Sequence, residues 1–474
     1  MQMRGSMNYR EALDYIHGMN RFGIKLGLEN TMILLELLGN PQERMQFIHV
    51  AGTNGKGSVS AYLASVMEAS GKKTGLYTSP YIQRFTERIR VDGAEISEEA
   101  VARWAGFVRD KIDDMVASGR NHPTEFEALT ALALCCFAEE NCDVVVLETG
   151  MGGRFDATNV IANPLVSVIT TIDYDHMEYL GDTIEKIAYE KAGIIKKGCS
   201  VVSYPQRDTV LQVLEQAAAE KGAELVVSDF STLECCGWSV DGQSFHYKAY
   251  RDLNIAMLGE YQMYNAALAI DVIEVMNRRQ LTRISGEALR KGLAMTRWPG
   301  RMEIARQNPL FVIDAAHNTQ GAGALREALL RYFPDRKIAV IFGVLKDKEY
   351  RAVIEQVIPL AEAVFTVTPD TPRAMAADEL SAVLQEMLME ATGWAEVSGG
   401  SDAEADVRRP DTRQSDARQE RASAWKTVPE RIWACESVEE ATMRSLAYAE
   451  ETGAMVCAFG SLYYIGEVRT CLGL

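Results

Sequence analysis

Phe47-Ile-His-Val-Ala-Gly-Thr-Asn-Gly-Lys-Gly-Ser-Val-Ser60 decides the fold: a short apolar strand runs into a glycine-rich turn with one lysine, and a helix follows. That is the layout of a nucleotide-triphosphate site. Gly52, Gly55 and Gly57 let the backbone curl so that its N–H groups face a phosphate chain, and Lys56 supplies a point charge for the outer phosphates. The hydroxyl of Thr53 or Ser58 can reach a Mg²⁺. Val59, Tyr62, Leu63, Val66 and Met67 recur at helical spacing until Ser70 and Gly71 stop the pattern, so the amino end of this helix points at the anion. A glycine separates Lys56 from Ser58, a departure from the general Walker pattern that argues against an ordinary ATPase or GTPase.

Working outward, 474 residues exceed one ordinary core, so two mixed domains are expected, and 47% hydrophobic content lets both be well buried. The formal net charge of -17 argues against nucleic acid or an anionic membrane as a partner, since either needs a basic face. Nine cysteines without C-x-x-C spacing read as free thiols in a reducing cytosol. The longest apolar run, Ala128 to Ala138, is bracketed by Glu127 and Glu139 and reads as a buried helix rather than a membrane span. Met1 to Ser6 lack a signal-peptide apolar core; a cytoplasmic monomer is expected.

From Met7 to about Met295 strand and helix patterns alternate, the mark of a doubly wound parallel sheet. Candidate strands are Phe47 to Ala51, Thr74 to Thr78, Asp143 to Glu148, Leu165 to Thr170 and Ser200 to Ser203. Ligands bind outside the carboxyl ends of such strands, which puts Glu148 and the turn bearing Asp173, Asp175 and His176 at the same edge as the glycine loop. Thr296-Arg-Trp-Pro-Gly300 breaks the pattern and is read as a linker. A second α/β series follows, with strands expected at Leu310 to Ile313, Ile338 to Phe342, Ala363 to Thr368 and Met455 to Phe459. The expectation is therefore an N-terminal P-loop ATPase-like domain over residues 1–296 and a smaller Rossmann-like α/β domain over 297–474. The charged stretch from Glu396 to Trp425 reads as a solvated surface loop inserted in the latter.

The chain also carries YTSPYIQRFTERI (77–89), HPTEFEALT (122–130), LETGMGGRFDATN (147–159), DYDHMEYLG (173–181), IAYEKAGI (187–194), GEYQMYNAALA (259–269), RWPGRME (297–303), DAAHNTQG (314–321) and FGSLYYIGEV (459–468). Taken together, in this order and over nearly the whole length, these resemble the folylpolyglutamate synthase and dihydrofolate synthase family, a branch of the Mur ligases. The resemblance implies ATP-dependent amide ligation. The carboxylate of a reduced folate or of dihydropteroate would take the γ-phosphate, and L-glutamate would displace it.

By motif match, Asn54, Gly55, Lys56, Gly57 and Ser58 would cradle the ATP phosphates, with Asn265, Arg301 and Asp314 also holding ATP. Ser79, Glu148 and His176 would ligate Mg²⁺, for which two sites are implied. Asp314 could also be a helix cap before Ala315-Ala-His-Asn, both roles coexisting, and His317 in the same motif could be structural or catalytic. Lys25, Leu26 and Gly27, Thr124, Glu125, Phe126 and Glu127, and Phe155, Asp156 and Ala157 would line the folate or pteroate pocket.

Helical spacing sets Lys191 inward with Ile184, Ile187, Ala188, Ile194 and Ile195. A lysine so placed can snorkel to Glu148 or to phosphate. The family resemblance implies instead a carbamate, N6-carboxylysine, beside His176. Two other readings stand next to this one. One is a Mur enzyme acting on another carboxylate; only about forty residues precede the glycine loop, too few for the further domain that a nucleotide-linked substrate would need. The other is a P-loop switch protein, which would not need a second α/β domain.

Overall fold

The computed structural model describes residues 6–23, 27–392, 429 and 431–474; Lys25, Leu26 and the charged stretch from Glu396 to Trp425 lie outside the described residues. Two compact units, Met1–Trp298 and Pro299–Leu474, make up the chain.

In the first unit the strands are β1 (Gln46–Ala51), β2 (Thr74–Tyr77), β3 (Ile89–Val91), β4 (Ala94–Glu95), β5 (Val144–Glu148), β6 (Val166–Ile169), β7 (Ser200–Ser203) and β8 (Glu224–Val227). Among the described residues they form one sheet in the order β4-β3-β2-β5-β1-β6-β7-β8. The six from β2 to β8 run parallel, and β3 and β4 turn back antiparallel. The chain moves from β1 to one side, returns to β5, then crosses to β6. This places β1 at the point where the winding reverses, where open α/β sheets bind ligands.

Side-chain alternation divides each central strand between two cores. Ile48 and Val50 of β1 and Val144 and Val146 of β5 pack with Val59, Leu63 and Met67 of the helix Lys56–Ala69. Phe47, Val145 and Leu147 face the helices Tyr9–Gly18, Glu98–Ala117 and Glu125–Glu139. Strands buried on both faces read as continuous apolar runs, which is why β1 and β5 stand out in the sequence. Glu148 shares the parity of Val144 and Val146, so it emerges on the face of the helix that follows the glycine loop.

The alternating pattern breaks where a three-stranded antiparallel sheet intervenes, β9 (Glu234–Ser239), β10 (Gly242–Tyr247) and β11 (Tyr250–Ile255). A half-buried ion pair pins it: Lys248 Nζ lies 2.5 Å from Asp271 Oδ1 on the helix Glu260–Arg278, and Tyr247 donates its hydroxyl to Asp271 Oδ2 at 2.8 Å. Both oxygens of that buried carboxylate are thereby satisfied, as a buried charge requires.

The second unit holds β12 (Glu303–Gln307), β13 (Leu310–Ile313), β14 (Ile338–Phe342), β15 (Ala361–Thr366), β16 (Arg431–Ala434) and β17 (Met455–Phe459), ordered β12-β13-β17-β14-β15-β16. All pairs are parallel except β12 with β13. Every residue of β14 and β17 is buried, and the rings of Phe342 and Phe459 stack 4.8 Å apart between them.

The helix Lys56–Ala69 is buried on nearly all sides rather than along one stripe, because the helices Glu260–Arg278 and Gly286–Met295 both pack on it. The closest approach is at Gly292, whose carbonyl accepts from Ser65 Oγ at 2.8 Å, and where a Cβ would stand 2.5 Å from Val66 Cα. Gly292→Ala is therefore expected to cost about 1–3 kcal/mol of unfolding free energy, read from urea titration. Unchanged stability would contradict this packing.

Candidate active site

Gly52, at φ +153°, follows directly on β1; a Cβ there would lie 1.8 Å from Thr170 Oγ1, so only glycine lets the loop pass this close to the end of β6. The loop is then tied to that strand. Thr53 N–H donates to Thr171 O at 2.7 Å, and the Thr170 and Thr171 hydroxyls donate to Asn54 O at 2.7 and 3.2 Å. Thr53 Oγ1 accepts from Asp173 N–H and donates to Asp173 O, both at 3.0 Å. Gly55, at φ +87°, starts the helix Lys56–Ala69 without a side-chain cap, so its first-turn N–H groups are available to an anion.

Two ammonium groups meet on the Gly52 carbonyl. Lys56 Nζ reaches it at 3.1 Å and Thr53 O at 3.2 Å, while Lys191 Nζ donates to Gly52 O at 2.7 Å from the helix Ile184–Ala192. Lys191 is buried with Ile184, Ile187, Ala188, Ile194 and Ile195, as the spacing implied. Its partner is a main-chain oxygen rather than Glu148, since the helix directs Nζ at the underside of the loop. Burial, and next the charge of Lys56, lower its pKa to about 7.

Glu148, buried at the end of β5, accepts a hydrogen bond from Ser79 N–H at 3.3 Å. Next to it, the buried Thr149 Oγ1 has no hydrogen-bond partner among the described residues. His176 precedes the short helix Met177–Leu180 at φ +50°; its imidazole does not cap that helix but lies 3.8 Å from Asp175 Oδ2. Among the described residues no group of three His, Cys, Asp or Glu side chains is close enough to hold a metal ion. Glu148 and the Ser79 hydroxyl are hard oxygens of the kind Mg²⁺ takes. Asn265 and Ser58 belong to a buried chain running from Tyr204 through Asn265 and Gln262 to Ser58.

The segments expected to form the folate pocket are neighbours. The helix Glu29–Leu37, two residues past Gly27, packs on the helix Glu125–Glu139 and on the turn Ala157–Val160. Several side chains there are engaged internally. Thr124 and Glu127 form a capping box, Glu127 also accepting from Thr31 Oγ1 at 3.3 Å. Asp156 is buried and takes hydrogen bonds from Met151 N–H, Thr158 N–H and Thr158 Oγ1 at 2.9, 3.0 and 2.5 Å. Ala157 is buried beside it. Glu125 is paired with His17 at 3.1 Å, and it, Phe126 and Phe155 are partly exposed. Sequence reading passed over Arg154, whose guanidinium lies 4.2 Å from the Phe155 ring and 4.9 Å from that of Tyr189. The Phe-after-Arg pair in LETGMGGRFDATN was its only signal.

In the second unit Asp314 follows β13 and is buried. It caps no helix: Asn318 caps Thr319–Tyr332, while Asp314 accepts from Met302 N–H at 2.8 Å and Ala316 N–H at 2.7 Å. It thereby fixes the turn carrying the half-buried Arg301, and His317 Nδ1 lies 2.9 Å from Ala315 O.

The comparisons agree with this fold. The Mur ligase middle domain family matches residues 50–273, and the Mur ligase, glutamate ligase domain family matches 300–462. The dihydrofolate synthase/folylpolyglutamate synthase of Bacillus subtilis is 40% identical over 383 residues, 78% of this chain and 88% of that protein. The Mycobacterium tuberculosis folylpolyglutamate synthase complexed with ADP and AMPPCP superposes with a TM-score of 0.81 at 29% identity, covering 98% of this chain and 99% of that one. A folylpolyglutamate synthase–AMPPCP–folate complex gives 0.77 at 32%, covering 98% and 100%. The fold is that of a Mur-type ligase. The chain belongs, within that class, to the folylpolyglutamate synthase and dihydrofolate synthase family.

The lowered Lys191 pKa fixes the sign of one pH effect. The unfolded chain keeps this proton up to about pH 10.4, whereas the folded chain releases it near 7. Across that window the unfolded state binds more protons, so stability rises with pH and the gain is absent below it. Wild type is expected to gain stability over Lys191→Met between about pH 7 and 9 in urea unfolding. A pH-independent difference would contradict the burial of an unprotonated amine.

Proposed function

We propose that this chain is an ATP-dependent ligase that joins L-glutamate to a reduced folate, and also to dihydropteroate. The observation that carries this reading is the glycine loop with Lys56 at the start of an uncapped helix, beside the strand end bearing Glu148. That is a cationic cradle for a polyphosphate with a carboxylate next to it. The names of the relatives supply the substrate class.

The folate carboxylate oxygen attacks the γ-phosphorus of ATP, and the bond to the β-bridging oxygen breaks with departure of ADP. The amine of glutamate then attacks the acyl carbon and loses a proton. Inorganic phosphate leaves carrying one former carboxylate oxygen, and an amide remains. Such a transfer asks the protein for alignment and charge neutralisation. Lys56 and the first-turn N–H groups take the phosphate charge, and the family motif assigns Asn265, Arg301, Asp314 and His317 to the nucleotide and its transfer. Mg²⁺, in two sites, would be held by Glu148, Ser79 and His176 and would neutralise phosphate oxygens. Glu125, Phe126 and Phe155 are the side chains assigned to the folate, with the main chain of Gly27, Thr124 and Ala157 completing that wall. The phosphate loop and the folate wall are assigned to residues 1–296, and 297–474 complete the ligase with Arg301, Asp314 and His317. A cytoplasmic location fits the nine free thiols, and the chain is taken to act as a monomer.

Lys191 is proposed to add CO₂ through its unprotonated amine, giving N6-carboxylysine and a proton. The lowered pKa supports this, because the neutral amine is the nucleophile. Lys191→Ala should lose most activity and regain part of it with bicarbonate or a short carboxylate; a fully active variant removes the carbamate from the account.

The reading is tested by ADP release with glutamate and either tetrahydrofolate or dihydropteroate. Turnover is expected only when acceptor and glutamate are both present. Lys56→Ala should lower it roughly 100-fold or more while leaving the unfolding transition unchanged. Turnover indifferent to the acceptor, or near-normal in Lys56→Ala, would overturn the assignment.

A further inference from the structure

Ser58 ends a buried hydrogen-bond chain in which Tyr204 and Gln262 have no role in the reaction as described. Tyr204, one residue past β7, donates its hydroxyl to Asn265 Oδ1 at 2.7 Å. Asn265 Nδ2 donates to Gln262 Oε1 at 3.0 Å, and Gln262 Nε2 donates to Ser58 Oγ at 3.2 Å. Gln262 and Asn265 stand three apart on one helix face, and all four residues are buried.

The two amides could be turned round without changing any heavy-atom position. The phenol cannot. In the reverse sense its single proton would be buried without an acceptor, because Asn265 Oδ1 is its hydrogen-bond partner among the described residues. An unmade donor costs more than an unused lone pair. Burial also pushes the Tyr204 pKa well above its ordinary value, so the proton stays on. The direction therefore runs from Tyr204 to Ser58. Ser58 Oγ accepts from Gln262, and its own proton has no acceptor among the described residues. Thr53, the other loop hydroxyl, is closed on Asp173 in both senses.

Resting on the reading of this loop as the ATP phosphate site, we propose that Tyr204 and Gln262 are positioning residues that hold the Ser58 hydroxyl as a hydrogen-bond donor to a phosphate oxygen. Ser58 lies in the first turn of the helix Lys56–Ala69, where the dipole already favours an anion and one more oriented donor adds to it.

Gln262→Glu keeps the shape and reverses the polarity. An ionised glutamate only accepts, so the Ser58 proton turns toward it and away from the nucleotide. Protonated, the same side chain donates as glutamine does. Calorimetric titration of the full-length variant with AMPPCP should show ~10–100-fold weaker binding at about pH 8, recovering toward wild type at about pH 6, where a buried glutamate takes up its proton. In a Ser58→Ala background Gln262→Glu should add little. Tyr204→Phe, which removes one hydroxyl, should raise KM for ATP a few-fold and leave KM for the folate acceptor unchanged; it carries the test if Gln262→Glu does not fold. Binding within twofold of wild type in both variants overturns the proposal, as does a Gln262→Glu loss that is pH-independent or that persists in full without Ser58. Wild-type protein that binds no AMPPCP would overturn the ATP reading, and the relay with it.

Discussion

One carbonyl oxygen, that of Gly52, takes hydrogen bonds from two lysines, and most of the first unit is arranged so that it can. Gly52 passes so close to Thr170 that no side chain fits, which locks the loop to the end of β6. The helix bearing Lys191 must pack its isoleucines under the sheet to bring Nζ within 2.7 Å from below. Burial of the Lys191 ammonium, and next the charge of Lys56 beside it, favour loss of its proton, the direction in which Lys191 is displaced. Lys56 and the uncapped helix start are left to meet an anion, and a triphosphate is the anion that this loop and helix suit.

The winding of the sheet brings the remaining chemistry to the same edge. β1 lies between β5 and β6, so Glu148 ends the strand on one side of the loop and Thr170 and Thr171 follow the strand on the other. Alternation along β5 places Glu148 on the face of the helix Lys56–Ala69. A single-residue slip in β5 would send that carboxylate into the opposite core. The apolar faces of β1 and β5 therefore fix the active-site geometry as firmly as any polar contact does.

Much of this was legible because it is periodic. The strand, turn and helix around Lys56, the both-sided apolar run ending in Glu148, and the inward stripe holding Lys191 are local patterns with one physical reading each. The pair β3 and β4 had a signal, Asp92-Gly93 between short strands, that was passed over; both residues have positive φ, as such a hairpin turn needs. The sheet β9 to β11 was hidden because Glu234-Cys-Cys-Gly-Trp-Ser is half exposed and weakly alternating. Side-chain partners were not legible at all. Thr124 and Glu127 carry a capping-box pattern that suits a wall or a ligand equally, and only distances show them engaged with each other and with Thr31. Asp156 and Asp314 are likewise tied to main-chain N–H groups that no spacing rule reveals.

The central claim is that the acceptor carboxylate is activated by phosphorylation, and isotope transfer reads this step directly. With the acceptor carboxylate carrying a heavy oxygen isotope, the inorganic phosphate released during glutamate ligation should contain one labelled oxygen per turnover, and the amide product should retain the other. Ligation that proceeds with unlabelled phosphate would contradict the acyl-phosphate route.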